Sequence, residues 1–127
     1  MASSMQSPLG KARGLGSARS GVSHWWLQRL TAMGMIPLVL YSVGGLVLNA
    51  GADYETARQW LVQPFNATSL LLLLGVGFFH ASLGLQVIVE DYISGETTRL
   101  LSLVAIKLVM TALAALSIFS VLSIAFS

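Results

Sequence analysis

Three long apolar stretches leave this chain few folds to choose from. The first runs from about Leu30 to Leu48, the second from about Ser69 to Val89, and the third from about Leu100 to Phe126. A bilayer's hydrocarbon core is about 30 Å thick and takes roughly 20 apolar residues of helix to cross. Each stretch meets that length, and each is too long for a buried helix of so small a domain. A membrane β-barrel would show short alternating segments, and these stretches do not alternate. With their interfacial flanks, the helices are expected over about 26–49, 68–92 and 98–126. The expected fold is all-α: an integral membrane protein with three transmembrane helices packed in a bundle.

Composition agrees. Of 127 residues, 55% are hydrophobic and only 9% charged. A soluble domain would carry about a quarter charged residues. The formal net charge of +2 is small, and the basic residues form no polar face that could track phosphates, so nucleic acid is not an expected partner. There is no cysteine. Disulfides, thiolate zinc sites, iron–sulfur ligation and cysteine nucleophiles are therefore excluded within this chain.

The remaining segments punctuate the helices. Residues 1–23 are rich in Ser, Gly and Ala and carry Lys11, Arg13 and Arg19. They read as a flexible tail until a partner holds them, leaving 24–127 as the membrane domain. The first loop, Asn49 to Thr68, is polar, and Tyr54 to Leu61 is suited to a short interfacial helix capped by Asp53. The second loop is short, Asp91 to Arg99, with Gly95 as the break. Basic residues favour the tail side: Lys11, Arg13, Arg19 and Arg29, then Arg99 and Lys107, against Arg58 alone in the first loop. The tail and second loop are thus expected on the cytoplasmic side, or the matrix side in a mitochondrion. Trp25 and Trp26 suit the aromatic belt there. The first span is longer than a signal-peptide core and reads as a retained helix. The tail's composition also describes a mitochondrial transit peptide. Because it shows no clear cleavage site, a bacterial inner membrane is the expected location, with the mitochondrial inner membrane as the alternative.

Polar residues inside the apolar spans point to chemistry, because each is costly in hydrocarbon. His80 lies near the middle of the second span. Its imidazole can bond a neighbouring helix or ligate a metal or haem iron. The only other histidine, His24, lies at the interface, so a bis-histidine haem would need a ligand from another chain. At about 100° per residue, His80, Gly84, Val87 and Asp91 share one face. Gly84 leaves a groove for a flat macrocycle or a second helix; Gly75 and Gly77 also allow close approach. Asp91 and Tyr92 close this helix about 17–18 Å along the axis from His80. Tyr92 can donate a hydrogen bond to a carbonyl, or can be an ordinary interfacial tyrosine. Arg29 opens the first span, with Gln28 and Thr31 beside it. Its guanidinium suits an acidic group such as a haem propionate, a quinone site, or lipid headgroups. Lys107 reads as a snorkelling residue. Pro37 is expected to bend the first helix. Ser117, Ser120 and Ser123 read as a packing stripe with no base nearby.

The segment His80 to Tyr92, HASLGLQVIVEDY, resembles the second helix of the succinate dehydrogenase membrane-anchor subunit family of respiratory complex II. The match rests on His80, Gly84, Gln86, Val87, Asp91 and Tyr92. The stretch from His24 to Ala32, with Arg29, Thr31 and Ala32, resembles the family's entry to its first helix. Together the likeness covers about residues 20–127. It implies that 24–127 is a membrane-anchor domain bundled with a partner anchor subunit. It implies His80 as one axial ligand of a haem b shared with a cytochrome b556 subunit, and Tyr92 and Asp91 at a ubiquinone site. Arg29 and His24 would support the haem propionates or the quinone. The implied partners also include an iron–sulfur subunit, a flavoprotein subunit and membrane lipid. Glu90 is an added acid beside Asp91. Three rival readings remain: a haem-free anchor, a small transporter using His80 as a proton relay, and the anchor of a quinol:fumarate reductase.

Overall fold

The computed structural model describes residues 7–12 and 20–127. Five helices are present among them: α1 (Pro8–Ala12), α2 (Ser20–Leu48), α3 (Tyr54–Leu61), α4 (Pro64–Tyr92) and α5 (Glu96–Ala125). There is no strand among the described residues. The flexible segment expected over 1–23 lies largely outside them; within it, α1 is a short helix and Ser20 already opens α2.

Helices α2, α4 and α5 are long and apolar enough to cross a membrane. At 29, 29 and 30 residues, each is about 44 Å long, so their ends pass beyond a hydrocarbon core of about 30 Å. α2 runs unbroken through Pro37. α4 begins earlier than expected because Pro64 stands at its first positions, where a missing N–H costs nothing and a fixed φ favours the helix. The connection to α5 is correspondingly tight, at residues 93–95.

Local chemistry explains the first loop. Asn49 donates through Nδ2 to the Gly45 carbonyl at 2.8 Å, beside its own N–H at 3.1 Å, which doubles the hold on the end of α2. Gly51 then takes φ 85°, a conformation that needs no Cβ. Asp53 caps α3 by accepting from the Thr56 N–H at 3.3 Å, so the short helix falls where the sequence predicts it. Arg58 ties α3 to the chain's other end, pairing with Glu55 at 3.8 Å and donating to the Ser127 carbonyl.

The three long helices form a row. α4 packs against both α2 and α5, while α2 and α5 make no contact. Bulky apolar residues mostly face outward, where lipid or other chains would lie. Only Leu83 and Val89 are buried hydrophobics among the described residues, whereas Ser42, Asn66 and Ser69 are buried polar ones. That inversion suits a membrane protein, whose helix interfaces are rich in small and polar residues. At Gly45, an added Cβ would run into the Trp60 indole, so only glycine lets α3 lie against α2 there.

Candidate functional site

α2 and α4 run antiparallel, and three contacts fix their register. The amide nitrogen of Gln28 lies 3.6 Å from where a Cβ on Gly84 would stand, and Met35 Cε lies 3.7 Å from that position on Gly77. Between them, Thr31 Oγ1 meets His80 Nδ1 at 3.0 Å. The two glycines therefore allow the close approach that brings the threonine hydroxyl to the imidazole.

Beside this seam lies a cleft of about 580 Å³ lined by His24, Trp25, Gln28, Arg29, His80 and Val87, with Gly21 and Ala32. Its size falls within the roughly 300–1,000 Å³ of cofactor and small-molecule sites. The structure thus brings together three of the residues singled out in the sequence: His80, His24 and Arg29. His24 stands seven residues before Thr31 on α2, about 10 Å along the axis, so it lies towards the rim rather than at the level of His80. Its Nε2 is buried with no hydrogen-bond partner among the described residues. The Arg29 guanidinium lies 5.4 Å over the Trp25 ring, and no carboxylate pairs with it among the described residues. The cleft therefore presents one imidazole at depth and, near its rim, a second imidazole and a cation.

Asp91 and Tyr92 do not line this cleft. Both lie exposed at the end of α4, Tyr92 to 84%. Glu90 accepts a hydrogen bond from Gln86 Nε2 at 2.8 Å. Lys107 lines a separate groove between α4 and α5 with Ser82, Gln86 and Thr111. The hydroxyls of Ser117 and Ser120 each donate to their own helix at 2.8 Å, which suits packing rather than catalysis.

Sequence reasoning noted the hydrogen-bonding capacity of Thr31 but did not pair it with His80, and it missed Trp25 and Val87 as cleft walls. Helical spacing held part of the signal, since Val87 shares the His80 face. The facing residues on α2 depend on interhelical register, which no local pattern states.

Fold and cleft together define a class: a small membrane protein of three apolar helices with isolated polar groups in a cleft beside two of them. The chain belongs to the succinate dehydrogenase/fumarate reductase transmembrane subunit family, whose family model matches residues 3–116. A succinate dehydrogenase hydrophobic membrane anchor subunit of Rickettsia bellii (strain RML369-C) is 38% identical over 98 residues, 77% of this chain and 78% of that protein. A succinate dehydrogenase membrane anchor subunit of Reclinomonas americana is 33% identical, covering 72% of this chain and 78% of that protein. A similarly named protein of Paracoccus denitrificans is 28% identical, with 72% and 71% covered. No solved structure gives a significant match.

Proposed function

We propose that this chain is the membrane anchor subunit of a succinate dehydrogenase, supplying one axial ligand of a haem b and part of a ubiquinone site for electron transfer from succinate to quinone. The observation that carries this reading is the convergence of His80, His24 and Arg29 on one cleft, in a chain of this family.

The residues fit the group. No cluster of three or more His, Cys, Asp or Glu able to hold a bare metal ion occurs among the described residues. A haem brings its own equatorial nitrogens and asks this chain for a single axial side chain. His80 would be that ligand, and the cytochrome b556 anchor subunit would supply the other. The buried, unpartnered His24 Nε2 and the unpaired Arg29 guanidinium suit the propionate carboxylates, because charge-assisted bonds are the strong ones. Bound haem b supplies a one-electron site within the membrane.

At the end of α4, the Tyr92 phenol would donate to a ubiquinone carbonyl, with Asp91 in the surrounding hydrogen-bonding shell. Its exposure leaves that hydroxyl available to a joint between subunits. Flavin and iron–sulfur chemistry would belong to the flavoprotein and iron–sulfur subunits, since this chain has neither a dinucleotide-binding motif nor a cysteine to hold a cluster. The proposed location is a bacterial inner membrane with the N-terminus cytoplasmic, following the basic-residue bias.

The test is a reduced-minus-oxidised optical spectrum of the purified complex, wild type against His80→Ala. Haem b bands that weaken or shift in the variant are the expected result. A wild-type complex without haem would make this chain a haem-free anchor, with the Thr31 contact as the whole role of His80.

A further inference from the structure

We infer that Thr31 is the positioning residue for His80: by accepting a hydrogen bond from Nδ1–H, it selects the imidazole tautomer that presents a bare Nε2 to the cleft. The inference rests on the haem reading above and goes further, assigning the ligating atom and the group that sets it.

The argument is one of counting hydrogens. A threonine hydroxyl has one hydrogen and two lone pairs. Thr31 Oγ1 lies 2.7 Å from the Leu27 carbonyl oxygen and 3.1 Å from that of Gln28. Carbonyl oxygens only accept, so the one hydrogen is committed to its own helix. Towards His80 Nδ1, at 3.0 Å, the same oxygen can only accept. With the hydrogen placed on its own helix, where turning it away would set two oxygens lone pair to lone pair at 2.7 Å, the imidazole donates from Nδ1. A neutral imidazole carries a single N–H, and Nε2 keeps its lone pair.

Three features hold this arrangement. A β-branched threonine in a helix has few χ1 states, and bonding back to the preceding turn selects one. That state aims the oxygen at α4. The Gln28–Gly84 approach sets the helix separation one turn away on each helix. Such an acceptor also makes the imidazole a stronger donor to iron, as outer-shell partners of ligating histidines do.

The experiment uses the assembled, purified complex carrying Thr31→Val, which keeps the shape and removes the acceptor, and Thr31→Ser, which keeps the acceptor. Haem content, haem midpoint potential and the low-spin ferric electron paramagnetic resonance spectrum are read for both, alongside His80→Ala. Thr31→Val is expected to raise the midpoint potential and shift the largest g value, because a weaker imidazole donor stabilises the ferric state less. Thr31→Ser is expected to restore both. Loss of haem in Thr31→Val with full occupancy in Thr31→Ser carries the same meaning. A wild-type potential and spectrum in Thr31→Val would overturn the inference, as would a Thr31→Ser complex as altered as Thr31→Val. The two readings fail separately: haem kept in His80→Ala overturns axial ligation, whereas haem lost there with Thr31→Val unchanged overturns only the role of Thr31.

Discussion

The hydroxyl of Tyr41 on α2 donates a hydrogen bond to the side-chain oxygen of Asn66 on α4. Asn66 then donates through Nδ2 to the Trp60 carbonyl at 2.7 Å, and the Tyr41 ring meets Phe65 edge-on at 5.0 Å. One buried amide thus ties α2, α3 and α4 at the end of the molecule opposite the His80 cleft. Interhelical hydrogen bonds in membranes average about 0.6 kcal/mol and reach about 1.7. Asn66→Ala removes two, so it should cost about 1–2 kcal/mol, and Tyr41→Phe about half as much. Unfolding of the purified complex in detergent measures both; equal losses in the two variants would contradict the relay.

Gly45 tests the docking of α3. A Cβ there collides with the Trp60 indole, whereas one on Gly44 meets nothing within 4 Å. Gly45→Ala should speed amide exchange across Tyr54–Leu61, and Gly44→Ala should leave it near the wild-type rate. Protection unchanged in both would mean that α3 stays in place without the Trp60 contact.

Tyr92→Phe should lower quinone reductase activity about tenfold, the size of one hydrogen bond of ~1–1.5 kcal/mol, with assembly intact because the side chain is exposed. Unchanged kinetics would remove Tyr92 from the quinone site. Arg29→Ala should shift the haem potential or weaken quinone affinity. If neither moves, Arg29 serves only as a membrane anchor.

The cap of α3 should respond to acid. The Thr56 hydroxyl, then its backbone N–H, hold the Asp53 carboxyl below its ordinary value of 3.8. A carboxylate lowered in the folded state contributes stability that is present above its unfolded value and lost as pH falls through the folded one. Exchange protection of α3 should therefore hold at neutral pH and decline below about pH 4. Asp53→Asn should keep the cap at neutral pH and abolish that decline, as measured by exchange corrected for its intrinsic pH dependence.

The three spans were legible because a length argument needs no knowledge of packing. The α3 cap was legible because Asp53 and Thr56 are close in sequence. The early start of α4 follows from Pro64, a helix-opening residue that the apolar window stops short of. Thr31, Trp25 and Val87 were harder to place. α2 and α4 are apolar nearly all round, so hydrophobic periodicity does not say which faces meet. Contacts at Gly77 and Gly84 decide it, and glycines 75 and 77 offer different faces of the same helix. The Asn66 relay was hidden for the same reason: Asn66 reads as loop until Pro64 makes it helical, and Tyr41 lies 25 residues away.

The row arrangement also bears on how the chain can change over generations. A residue on α2 or α5 answers to one neighbouring long helix of this chain, but α4 answers to two. Its substitutions must satisfy the Thr31 and Gln28 side and the Lys107 side at once, within helical steps of a few residues. Saturation mutagenesis should therefore find tolerance lowest along α4 and rising outward on both flanks, with the outer faces of α2 and α5 free to drift among apolar residues wherever no other subunit seats.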